Sequence, residues 1–128
     1  AFPQTMKLVN KIPGKKERVR FMRLARKSGE LARHADVTDR KAGVADGYTA
    51  RLHIPIFTSN AVTFHGWDAR GKHFTKILPE GCLAYLDRRK PHRVTNTDPG
   101  LDRVHLVLDV EGSAELRRWV SNVVREKR

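Results

Sequence analysis

The segments RLHIPIF (51–57) and RVHLVLDV (103–110) set the strongest constraint on the fold. In each, apolar residues recur at every second position, the repeat of an extended strand whose side chains alternate between two faces. Leu52, Ile54 and Ile56 share one face of the first segment, and Arg51 and His53 the other. In the second, Val104, Leu106 and Leu108 share one face, and Arg103, His105, Val107 and Asp109 the other. RVRFMRLA (18–25) alternates basic and apolar residues in the same way. AVTFHGW (61–67), KHFTKIL (72–78), CLAYLD (82–87) and HRVTN (92–96) read as further short strands, punctuated by Gly, Pro, Asn and Asp. Residues 5–11 read as a short helix that stops before Pro13 and Gly14. In SAELRRWVSNVVREK (113–127), Leu116, Val120 and Val123 fall at helical spacing behind Ser113, a suitable N-cap, and Trp119 anchors the helix to the sheet. Many short strands followed by one helix predict a mainly β fold, a sandwich or jelly roll, with a C-terminal α-helix.

A chain of 128 residues with 39% apolar residues suits one domain, 1–128, around one core. No apolar run approaches the roughly 20 residues of a membrane span. The single cysteine, Cys82, forms no internal disulfide and points to a reducing compartment, the cytoplasm. The start at Ala1 without Met reads as a trimmed or incomplete N-terminus. A formal charge of +12 favours acidic partners: nucleic acid, an acidic protein or small carboxylates.

Each of the two strongest strands has one face for packing and one that opens with arginine and continues with histidine. The polar faces either look into water, as in any antiparallel sheet, or line a shared cavity that holds a carboxylate. GELARHAD (29–36) bears on that choice, because it holds His34 and Asp36 at alternate positions, on one side of an extended chain. With a distant histidine, the pair makes a set of two imidazoles and one carboxylate. Such a set occupies one face of an octahedral metal, leaves three positions open, and is the usual holder of non-haem Fe(II) in oxygenases. The polar, Gly-containing segment 37–50 reads as a mobile loop beside the site.

RVRFMRLARKSGELARHAD, RLHIPIF, GCLAYLDRRKPHRVTN and DRVHLVLDV, spanning residues 18–110, resemble in order the aspartyl/asparaginyl β-hydroxylase family of Fe(II)- and 2-oxoglutarate-dependent oxygenases. The resemblance implies a double-stranded β-helix, the cupin-like jelly roll, with Fe(II) as cofactor, 2-oxoglutarate as cosubstrate and O2 as oxidant. By position, His34 and His92 resemble the iron-binding histidines and Asp36 the carboxylate ligand. Arg103 resembles the arginine that takes the distal carboxylate of 2-oxoglutarate, and Arg51 and His53 an Arg-x-His pair that also contacts the cosubstrate. A polar residue that assists in some members corresponds to the neighbourhood of Met22 or Arg23. Arginine suits the distal carboxylate because its planar fork bonds both oxygens at once, which lysine does not reproduce. His92 must be neutral to ligate, with its other nitrogen oriented by Asn96 or a backbone carbonyl. The family's usual result is hydroxylation of an amino acid side chain, free or in a peptide or protein, and the chain's charge leaves room for an acidic one. Oligomeric state is left open.

Other residues read more simply. His65, His73 and His105 fit surface or supporting positions. Trp67 and Tyr48 are secondary candidates for substrate contact, and Arg88, Arg89 and Lys90 form a solvated turn or a basic rim. Two other classes of function stay open: a non-catalytic cupin-like binding module, and a basic nucleic-acid-associated domain. The second is supported by the charge but lacks the aromatic stacking surface of single-strand binders.

Overall fold

The computed structural model describes residues 2–27, 29–34, 43, 45–85 and 90–126, with only the backbone path for 2–4, 29–34 and 121–126. The chain opens with α1 (Phe2–Lys11) and continues through β1 (Lys16–Leu24), β2 (Gly29–His34), β3 (Thr49–Phe57) and β4 (Val62–Trp67). It then runs through β5 (His73–Lys76), β6 (Ala84–Tyr85), β7 (His92–Asn96) and β8 (Arg103–Glu111) to α2 (Ala114–Glu126). Every strand expected from alternation is present, although 72–78 contracts to β5, and in the described part of 82–87 the strand is β6. The segment holding His34, which reads from sequence only as extended, is the paired strand β2. Half of the segment 37–50 lies outside the described residues, and its last two residues, Thr49 and Ala50, open β3.

The strands form two antiparallel sheets, ordered β1-β8-β3-β6 and β2-β7-β4-β5. First pairs with eighth, second with seventh, third with sixth and fourth with fifth. That pattern is a long hairpin folded over on itself, which is a jelly roll. Among the described residues no helix is long and apolar enough to cross a membrane.

β8 occupies a central place, hydrogen-bonded to β1 on one side and β3 on the other. Its residues from His105 to Val110 are all buried, so both of its faces are covered. On one face Leu106, Leu108 and Val110 meet Ala50, Leu52 and Ile54 of β3, with Val9 and Ile12 from the first helix region and Leu116 from α2. This is the apolar core, and it lies between the first sheet and the helices. Leu116 is fixed by its own helix start, where the Ser113 hydroxyl accepts the Leu116 N–H at 3.0 Å. Trp119 and Val120 pack against the same cluster, as the helical spacing predicts.

The other face of β8 looks toward the second sheet. In register with it, β1 contributes Arg20 and Met22, and β3 contributes Arg51, His53 and Pro55. The apolar core is thus outside the roll, and the interior between the sheets is polar. Leu108 is fully buried in that core. Leu108→Ala should lower unfolding free energy by about 2–5 kcal/mol, the range for truncating a buried leucine, read as a shift of the urea midpoint without change of slope.

Candidate functional site

Strand register assembles the interior. Arg103 and His105 stand at alternate positions of β8, so both point between the sheets, and they are 7% and 4% exposed. The sequence places His105 at the surface or in a supporting position; the burial of both β8 faces puts it inside. There His53 meets it, with the two Nδ1 atoms 3.1 Å apart and the rings edge to face. One Nδ1 donates and the other accepts. Burial pulls the His53 pKa down to about 3, with Arg103 and then Arg51 adding repulsion. Burial also takes His105 down to about 2, again with Arg103 beside it.

Beside the pair is a small cavity of about 30 Å3, into which His53, His105 and Arg103 point, walled by Val62, Phe64 and Val94. It has room for about two water-sized atoms, which is the size of a carboxylate's two oxygens. Burial lowers the Arg103 pKa to about 10, so the guanidinium keeps its charge at neutral pH. One of its terminal nitrogens donates to the Met22 carbonyl at 3.4 Å. Its Nε has no hydrogen-bond partner among the described residues. Burying such a cation is costly, and an anion in the cavity would offset that cost.

Arg51 is differently placed. Its Nε and one terminal nitrogen grip Asp109 at 2.9 and 3.3 Å. Arg20 approaches the same carboxylate at 3.7 Å. Asp109 therefore holds Arg51 in a bidentate pair inside the roll, a role that strand alternation alone does not assign to it. A signal is nonetheless present, since Asp109 shares the polar face of RVHLVLDV with Arg103. Of the two candidate positions on β1, Met22 lends its carbonyl to Arg103, whereas Arg23 turns to Asp102 at 3.1 Å.

The second sheet carries two of the three positions expected to ligate a metal. His34, at the end of β2, stands in register opposite His92, at the start of β7, after a register shift that follows Leu31. Asp36 lies outside the described residues. The His92 ring donates from Nδ1 to the Lys90 carbonyl at 2.8 Å, which leaves the lone pair on Nε2. The orienting group is therefore a backbone carbonyl and not Asn96. The Asn96 amide is fully buried and donates to the carbonyls of Leu24 and Leu101, tying β7 to the β1 and β8 ends. Phe64 stacks on the His92 ring with centroids 6.3 Å apart. His65 and His73 are hydrogen-bonded to each other at 2.9 Å, and their strand positions turn to the outer side of this sheet. Trp67 and Lys90 line an open pocket next to His92, while Arg88 and Arg89 lie outside the described residues. Tyr48 is tied through its backbone to Ala45 and Gly112, at the far end of β8 from Arg103.

Two antiparallel sheets paired first with eighth through fourth with fifth, with Arg103 and His105 buried between them, define a jelly roll of the double-stranded β-helix class. The family profile for aspartyl/asparaginyl β-hydroxylase matches residues 1–112, and the chain belongs to that family. Among curated proteins no significant match is found.

The imidazole pair makes stability depend on pH. In the unfolded chain both rings protonate near 6.5, whereas in the fold they stay neutral to about 3 and 2. Below pH 6.5 the unfolded state binds the extra protons, so stability falls as pH falls through that window. The ceiling is about 1.4 kcal/mol per pH unit for each ring. Urea midpoints measured from neutral pH down to about pH 4 should drop less steeply for His105→Gln than for the parent; equal slopes would mean that His105 titrates as an exposed imidazole.

Proposed function

We propose that the protein is an Fe(II)- and 2-oxoglutarate-dependent hydroxylase that acts on an amino acid side chain, free or within a peptide or protein. The observation that carries this reading is Arg103, a buried guanidinium whose Nε has no hydrogen-bond partner among the described residues, beside a carboxylate-sized cavity. Family membership supports hydroxylase chemistry in general.

The donor set suits the metal. His92 donates from Nδ1 to the Lys90 carbonyl, which in the neutral ring puts the lone pair on Nε2, and the register puts position 34 across from it. His34, His92 and Asp36 would hold Fe(II), two imidazoles and one carboxylate being a set that leaves open positions for cosubstrate and O2. The chemistry that group supplies when bound is activation of O2 coupled to decarboxylation of 2-oxoglutarate to succinate and CO2, with one oxygen atom delivered to a C–H bond.

The chain's own residues do the rest. Arg103 takes the distal carboxylate of 2-oxoglutarate through its planar fork and fixes how far the keto-acid end reaches. His53 and His105, kept neutral by burial, crowd Arg103 without adding charge, so the site presents its full cation to the dianion. Arg51, held by Asp109, bears on the cosubstrate as a fixed positive wall rather than a mobile clamp. The apolar residues Val62, Phe64 and Val94 keep water from the distal carboxylate. The compartment this reading expects is the cytoplasm.

Arg103→Lys retains charge and loses the fork. It should weaken 2-oxoglutarate binding by about 1–3 kcal/mol, measured by calorimetry on the Mn(II)-loaded protein, with metal affinity nearly unchanged. His92→Ala should abolish succinate formation and leave the circular dichroism spectrum intact. Equal affinity in the lysine variant, or retained turnover in the alanine variant, would sink the reading; metal and 2-oxoglutarate binding without succinate would leave a binding module in its place.

A further inference from the structure

A single cross-strand row of the second sheet runs from the metal side to an aromatic wall. His92 pairs with Gly66, and Gly66 pairs with Phe74, so these three positions follow one another across β7, β4 and β5. Adjacent strands are about 4.8 Å apart, which sets Phe74 about 10 Å from His92 along the row. Gly66 is the bare position between them. The Phe74 ring lies over it so closely that a Cβ built on Gly66 would come 2.3 Å from the ring tip. The ring therefore reaches back along the row toward His92, and Phe64 joins the two, at 6.5 Å from Phe74 and 6.3 Å from His92.

This wall is open. Phe74 is 39% exposed, and with Phe64 and His92 it borders a pocket of about 340 Å3. That volume is at the lower end for small-molecule sites, the scale of one amino acid residue rather than a large ligand. Among the described residues, the charged side chains around it are two lysines and one aspartate. Lys76 and Lys90 line the pocket, and the Lys76 ammonium stands 5.9 Å from the Phe74 ring. The Asp68 carboxylate on the rim already accepts the backbone N–H groups of Arg70 and Lys72. The pocket thus offers a flat apolar surface and a cationic donor, Phe74 and Lys76, side by side, two strands from His92.

We propose that Phe74, seated on Gly66, is the specificity-determining wall for the substrate, and that the pocket takes an amino acid or residue joining a flat apolar group to a carboxylate, the ring against Phe74 and the carboxylate at Lys76. This rests on the hydroxylase reading only in taking His92 as the place where the chemistry occurs. Gly66 is required because any side chain there displaces the ring. The displaced atoms are the far end of a flexible side chain, so Gly66→Ala moves the wall and leaves the fold.

The test is a titration of the 15N-labelled protein with N-acetyl-L-phenylalanine, its C-terminal amide and N-acetyl-L-aspartate, followed by amide shifts. N-acetyl-L-phenylalanine should shift Gly66, Phe74 and Lys76 to saturation, and bind at least about tenfold more tightly than either analogue, the discrimination that a single missing group gives. Phe74→Ala and Gly66→Ala should each cost it about tenfold, and Lys76→Met should erase its preference over the amide. Equal binding of N-acetyl-L-aspartate, or affinity unchanged in both wall variants, overturns the proposal. A parallel titration with 2-oxoglutarate, read at the Arg103 side chain, separates the two readings. The expected result is that Phe74→Ala responds normally at Arg103 while its affinity for N-acetyl-L-phenylalanine falls. Absence of an Arg103 response in the parent protein overturns the hydroxylase reading while the Phe74-dependent binding stands.

Discussion

Covering the polar face of β8 is the constraint on which the rest of this molecule depends. A strand with Arg103, His105 and Asp109 on one side would ordinarily turn that side to water. Here it is closed in by the second sheet, and each polar group has to be compensated locally. Asp109 is compensated by Arg51 and approached by Arg20. His105 is compensated by sharing a proton with His53, at the cost of neither ring ionising in the usual range. Arg103 keeps its Nε without a hydrogen-bond partner among the described residues. The interior holds Arg20, Arg51 and Arg103 against one described carboxylate, Asp109, an excess of positive charge.

The topology then divides labour between the sheets. The sheet containing β8 provides the cations and the neutral imidazoles, and its outer face provides the apolar core with the helices. The opposite sheet provides the histidine positions 34 and 92 and the aromatic row through Gly66 to Phe74. Facing sheets lie about 10 Å apart, a gap that an extended five-carbon dicarboxylate can bridge from one sheet to the other. Stability and site are thereby carried on opposite faces of the same strands. Residues such as Leu108 can be read as packing, and Arg103, two strand residues from His105, as chemistry.

Much of this is legible in the chain. The period-2 pattern of RLHIPIF and RVHLVLDV identifies both central strands and divides their residues correctly between faces, because pleating is a local property of the backbone. Ser113 ahead of a helical run announces the cap that the Leu116 N–H uses. The order of the segments around His34, His92 and Arg103 points to the family. By contrast, β2 is hard to see as a strand because GELARH has no alternation of apolar residues. Of the two groups the sequence offers to orient His92, Asn96 or a backbone carbonyl, the Lys90 carbonyl is the one in place, because the Asn96 amide is used to tie backbone segments 72 residues apart in sequence.

What the sequence by itself determined is the set of faces: which side chains stand together on each strand, where the strands break, and which residue types await an anion or a metal. What only the tertiary structure decided is what covers each face. It enclosed His105, bound Arg51 to Asp109, and set Phe74 upon Gly66 in the row of His92. The physical reason is that alternation is settled by neighbouring dihedral angles, whereas enclosure is settled by strands far apart in the chain. Pairings such as Arg51 with Asp109, or Gly66 with Phe74 and His92, come into being only when those strands find their register.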